Sequence, residues 1–115
     1  MTRINRIDFD KVSADALAAA RAVLDDDNVW KNLKDIVENI SDGFVSDAKF
    51  IAKKKLSGEF NEDDARIYLE DQKTIARVRL RSVAIITLQI AERVLNAIAD
   101  VFRQAINAAL GWTVL

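Results

Sequence analysis

The stretch "IARVRLRSVAIITLQIAERV", residues 75–94, supports two readings. Arg-Val-Arg-Leu-Arg alternates with the period of a strand, whereas Ala84 to Val94 repeats with the period of a helix. Between Asn61 and Gly111 the sequence has no glycine, no proline and nothing resembling a hairpin turn, so a strand here would have to enter and leave without punctuation. Helix is the reading that fits. Leu69, Ala76, Leu80, Val83, Val94, Ile98, Val101, Phe102, Ala105 and Ala109 then share one broad face at 100° per residue, and the arginine alternation is incidental. The expectation is a single helix over 62–110, roughly 70 Å long at 1.5 Å per residue, which is too long for a monomer to bury.

Working outward, punctuation is sparse: there is no proline, and the glycines are Gly43, Gly58 and Gly111. The clearest break is "LSGEFNEDD", residues 56–64, where Gly58 suits the position after a helix end and Asn61 can cap a helix opening with Glu62, Asp63 and Asp64. Lys53, Lys54 and Lys55 before it suit the negative end of the preceding helix dipole. A weaker break is "DDDN", residues 25–28, where Asp27 or Asn28 would cap. Ala16, Ala20, Val23, Trp30, Leu33, Val37, Ile40 and Phe44 keep one phase straight through it, so the competing reading is one helix from Ser13 to Leu56. The sequence thus predicts an N-terminal arm over 1–12 and a single all-α domain over 13–115. Its helices are expected at about 13–24, 28–56 and 62–110. The last two form a long antiparallel hairpin, with Val37 facing Leu80 or Arg81 and Leu24 facing Val94, and such hairpins would assemble into an oligomeric bundle.

Composition excludes much chemistry. The chain has 115 residues, no cysteine and no histidine. Disulfides, thiolate or imidazole metal sites, and Ser-His-Asp or Cys-His catalysis are therefore ruled out. No phosphate-binding glycine loop occurs, and "DDDN" lacks the ligand spacing and central glycine of a calcium loop. No catalytic residue, metal ligand or cofactor is predicted, and a non-enzymatic protein is the expectation. With 17 basic and 18 acidic residues the net charge is −1, so no global field attracts nucleic acid or anionic membrane. The longest uncharged run before the C-terminal tail, "SVAIITLQIA", is about half the ~20 residues of a membrane span. The N-terminus lacks the apolar stretch of a secretory signal, and the cytoplasm is the expected location.

Several surface groups remain. Arg77, Arg79 and Arg81 form a basic cluster whose expected role is pairing with Asp35, Glu38 and Asp42 across the hairpin. Nucleic acid is a disfavoured partner, because aromatics are not interleaved with the arginines. The tail "AINAALGWTVL" offers Trp112, Val114 and Leu115 for a subunit contact or a membrane surface. Finally, Ile67, Ile75, Val78, Ile85, Ile86 and Ile90 point away from the main apolar face, and one hairpin partner covers only part of a helix. Another copy of the chain is the predicted cover, with contacts centred on Ile85, Ile86 and Ile90. The function read from sequence is a self-associating structural, adaptor or assembly protein, with another protein as a further candidate partner; a membrane-active helical protein is the alternative, and a nucleic-acid-binding protein using Arg77, Arg79 and Arg81 a further one.

Overall fold

The computed structural model describes residues 6–83 and 86–115, and within them the chain forms four α-helices and no strand. They are α1 (Phe9–Ala22), α2 (Asp27–Leu56), α3 (Glu62–Arg81) and α4 (Leu88–Leu110). Neither of the two periods in residues 75–94 runs through. The expected helix over 62–110 is two helices, and the arginine run is the basic last turn of the first.

Local chemistry explains each end. Asp8 caps α1 by accepting from the Lys11 N–H at 3.1 Å, and Phe9 enters the core, so the helix starts four residues ahead of Ser13 and takes over part of the expected arm. The break after α1 is real, and Asp26 rather than Asp27 or Asn28 caps α2, accepting from the Asn28 N–H at 2.7 Å. At the α2–α3 turn the Lys54 carbonyl accepts from the Glu59 and Phe60 N–H groups, and Gly58 takes a φ of 77°, which a side chain would resist. Asn61 and Asp64 then form a reciprocal capping box, each side chain accepting from the other's backbone N–H. Replacing Asn61 with alanine should cost about 1 kcal/mol, a drop of roughly 4 °C in thermal midpoint, which calorimetry would resolve.

The break between α3 and α4 needs no glycine. The Ser82 hydroxyl donates to the Arg79 carbonyl at 2.6 Å, and the Thr87 hydroxyl accepts from the Ile90 N–H at 3.2 Å. Breaking a helix forfeits a handful of backbone hydrogen bonds worth about 0.5–1.5 kcal/mol each. Folding back buries Val94, Leu95, Ile98, Phe102, Ile106 and Leu110 completely, and each such side chain gains about 1.5–3 kcal/mol. Burial wins by a wide margin.

The helices run up and down in sequence. Asn39 on α2 accepts from Arg79 on α3 at 2.9 Å, and Phe50 stacks on Tyr68 at 5.1 Å between ring centres, so these two helices are antiparallel. Arg77 on α3 holds Glu92 on α4, which fixes the next pair as antiparallel too. The beginning of α1 lies beside Val101 and Ala105 of α4, and its end beside Ile90 and Arg93. Leu24 accordingly lies near the start of α4, but against a helix that has turned back. α2 and α4 are parallel and meet across the centre, where Phe44 stacks on Phe102 at 5.2 Å. α1 packs on α4 and α2, α3 packs on the same two, and α1 and α3 do not meet. This is a four-helix bundle of 45 × 24 × 18 Å built within one chain. The premise that two hairpins are needed to reach four helices is therefore corrected.

Candidate interaction surface

α3 buries Ala65, Leu69, Ala76 and Leu80 against its neighbours. The opposite side of the same helix carries Ile67 and Val78, which remain 62% and 61% exposed, with Ile75 beside them at 43%. Positions 67, 71, 74 and 78 lie along one line of the cylinder by helical spacing, so Asp71 and Thr74 are interleaved with the aliphatics. Charge is graded along this face. Asp63, Asp64, Glu70 and Asp71 occupy its first half and Arg81 its end, while Arg77 and Arg79 lie on its two flanks, turned to α4 and α2, and Arg66 and Lys73 pair with Asp63 and Glu70. Leu56 and Leu88 are also exposed, but they stand singly at helix ends, which is ordinary for a protein surface.

The remaining residues expected at an interface lie elsewhere. Ile86 and Ile90 are half-buried against the chain's own core, and Ile85 lies outside the described residues. Among the described residues the exposed aliphatics gather on α3, whereas Ile86 and Ile90 pack against the core. The reason is the fold-back: Ile90 belongs to a helix that packs against all three others.

The arginines find partners other than those expected. Arg77 Nε donates to both carboxylate oxygens of Glu92, at 2.8 and 3.0 Å, and Arg79 donates to the Asn39 amide oxygen. Among the described residues no ion pair joins Arg77, Arg79 or Arg81 to Asp35, Glu38 or Asp42. α4 comes back alongside α3 and supplies the acid that α2 was expected to supply.

The C-terminal tail is tied to the bundle. Lys55 Nζ donates to the Leu110 carbonyl and sits 4.6 Å from the centre of the Trp112 ring. The Thr113 N–H donates to Glu62 at 3.1 Å, its carbonyl accepts from Arg66, and the Asn107 amide oxygen accepts from the N–H groups of Val114 and Leu115. Val114 is 1% exposed and part of the core. It is not available to a membrane or a second subunit, and Trp112 and Leu115 are both half-buried beside it.

Sequence reasoning missed two buried polar groups, Ser41 and Asp47, both on α2. Asp47 on α2 is 8% exposed and accepts from the Tyr68 hydroxyl at 3.4 Å. Burial raises its pKa from the ordinary 3.8 to about 6, against the opposing pull of the Tyr68 hydrogen bond and the Arg79 charge. Asp47, Gln72 and Arg79 line a cavity of about 20 Å³, room for a single water and no substrate. The larger hollows are shallow: an open groove of about 550 Å³ between α1 and α4, lined by Val12, Asp15, Asp100, Val101, Gln104 and Ala105, and one of about 300 Å³ near the α1–α2 turn. Neither gathers a nucleophile beside a base. Among the described residues no group of three or more acidic side chains could hold a metal ion.

Comparison with protein-family models, with curated proteins and with solved structures gives no match.

Proposed function

We propose that this chain is a non-enzymatic helical module that works by associating with further copies of itself, as a structural, adaptor or assembly component, through the outward face of α3. The observation that carries this reading is the exposure of Ile67, Ile75 and Val78 together on a helix whose opposite side already fills the core. Taking such side chains from water yields about 1.5–3 kcal/mol each, and three per chain on a two-fold contact suffice for association of moderate strength after its entropic cost. A single helix face buries less than the ~1,200 Å² of a standard interface, so the contact belongs to the weak, exchanging class.

The membrane-surface alternative is the poorer fit. The aliphatics share their face with Asp63, Asp64, Glu70 and Asp71 against Arg81, an acidic balance that an anionic bilayer disfavours, whereas interfacial helices carry mainly Lys and Arg there. No helix among the described residues is long and apolar enough to cross a membrane. A cytoplasmic setting suits a self-associating module of this composition.

Sedimentation velocity tests the proposal. The native chain should sediment as a dimer or larger species at about 100 µM, and an Ile67→Glu, Val78→Glu variant as a monomer, since burying a charge in that contact costs several kcal/mol. Both positions are exposed, so helicity by circular dichroism should be unchanged. A native chain that is monomeric at that concentration overturns the proposal.

A further inference from the structure

The self-association reading leaves open how two copies would meet, and the face of α3 contains the answer. Residues Asp64, Ile67, Asp71, Thr74, Val78 and Arg81 follow one another at alternating steps of three and four, the spacing of a seam between two helices wound with a left-handed twist. Five of these six are exposed over much of their surface in a line opposite the core, and the sixth, Asp64, is exposed at the start of the helix where only one carboxylate oxygen is used, by the Asn61 N–H.

We infer that two copies pair through α3 in antiparallel, two-fold fashion, with Asp64 against the partner's Arg81, Ile67 against the partner's Val78, and Asp71 against the partner's Thr74. One register satisfies all of these layers at once, and the two-fold axis repeats each of them on the other side. The layers are complementary in kind: acid on base at the rims, aliphatic on aliphatic inside them, and at the axis a carboxylate facing the Thr74 hydroxyl, which in the single chain donates to the Glu70 carbonyl at 3.1 Å and in the pair would turn to the partner's Asp71. The grading of charge along the helix decides the direction. A parallel pair in register would set Asp64 on Asp64, Asp71 on Asp71 and Arg81 on Arg81, all repulsive. The antiparallel pair turns each of those repulsions into an attraction or a hydrogen bond. Flanking the seam, Ile75 adds apolar cover. α3 occupies a corner of the bundle and does not touch α1, so two bundles can approach on this side without moving a helix.

The inference rests on the self-association reading, and two measurements separate their fates. The chain has no cysteine, so single cysteines can be introduced without interference. Ile67→Cys chains mixed with Val78→Cys chains and oxidised should give a mixed disulfide about tenfold in excess of what either chain forms alone, because only the facing pair reaches the ~4 Å between Cβ atoms that a disulfide needs. In parallel, Arg81→Glu should weaken the dimer by about tenfold, and adding Asp64→Lys to the same chain should restore it to near the native value. Asp64→Lys also removes one arm of the α3 capping box, and the cysteine pair gives a readout independent of that loss. If the native chain dimerises but the cysteines crosslink equally well in unmixed samples, or the charge exchange restores nothing, this register is wrong and self-association stands. If the native chain stays monomeric, whether or not lipid vesicles or another protein occupy the face, both are overturned.

Discussion

Truncating Phe102 to alanine should remove about 3–5 kcal/mol of stability, the largest loss expected from any single substitution in this chain. Phe102 has no exposed surface, and its ring stacks on Phe44 at 5.2 Å with 26° between planes. That pair is the contact of α2 with α4 across the middle of the bundle, where no loop can adjust and neighbouring side chains collapse only partly into a void. Stability of a domain this size lies at about 5–15 kcal/mol, so the variant would stand near its unfolding threshold at physiological temperature. Phe102→Leu keeps most of the volume and should lose about half as much or less. Urea unfolding measures both, with the slope unchanged if the transition stays two-state. A loss below about 1 kcal/mol for Phe102→Ala would show that the α2–α4 contact is not a close-packed part of the core.

Asp47→Asn should stabilise the protein at pH 7, and its advantage should vanish in acid. Burial raises the Asp47 carboxyl from 3.8 to about 6, so between those values the folded chain holds a proton that the unfolded chain has released. The contribution of this group to stability therefore falls as pH rises through that window and is lowest above pH 6. At neutrality the ionised, buried carboxylate costs on the order of 2–3 kcal/mol relative to its protonated form. Asparagine has the same shape, carries no charge and can still accept from the Tyr68 hydroxyl. We expect a gain of about 1–3 kcal/mol at pH 7.5 and little at pH 4, read as the difference between native and variant unfolding free energies at the two pH values. An equal difference at both would refute the shift in Asp47.

The helical class and the α2–α3 turn are legible in the sequence because several local signals agree there. Gly58, the three lysines before it and the Asn61–Asp64 box all mark one turn, and apolar periodicity on either side sets the pairing. The α3–α4 break is nearly silent. Its marks are a serine at the end of one helix and a threonine at the start of the next, and the residue three after Thr87 is Ile90, not the Glu or Gln of a capping box. The decision to bend is made by the burial of α4, a long-range effect that no window of sequence contains. One local signal was present: basic residues crowd the last turn of a helix, and Arg79 and Arg81 do so here. The partner of Arg77 could not be read for the same reason, since Glu92 meets it only after the chain reverses. Asp47 was readable. It occupies the apolar phase of α2 with Ile40, Phe44 and Ile51, where a carboxylate is out of place and must be held by something. On the outward side of α3, Ile67, Ile75 and Val78 stood out as residues off the core-facing stripe, and the fold leaves them in solvent while drawing Ile86 and Ile90 inward.

The pairing of α1 with α4 bears on the order in which this protein acquires its structure. Every other side of the bundle joins helices that follow one another along the chain, and such contacts close through a turn of a few residues. The α1–α4 side joins the first helix to the last, and it is the most extensive contact of all. Closing it confines the whole intervening chain, at an entropic cost that grows with the logarithm of loop length. The hairpins α2–α3 and α3–α4 can form first, and only when α4 has folded back does α1 find its principal neighbour. Substitutions on α1 such as Ala16→Gly should therefore speed unfolding while leaving the folding rate nearly unchanged, the kinetic mark of contacts made after the rate-limiting step.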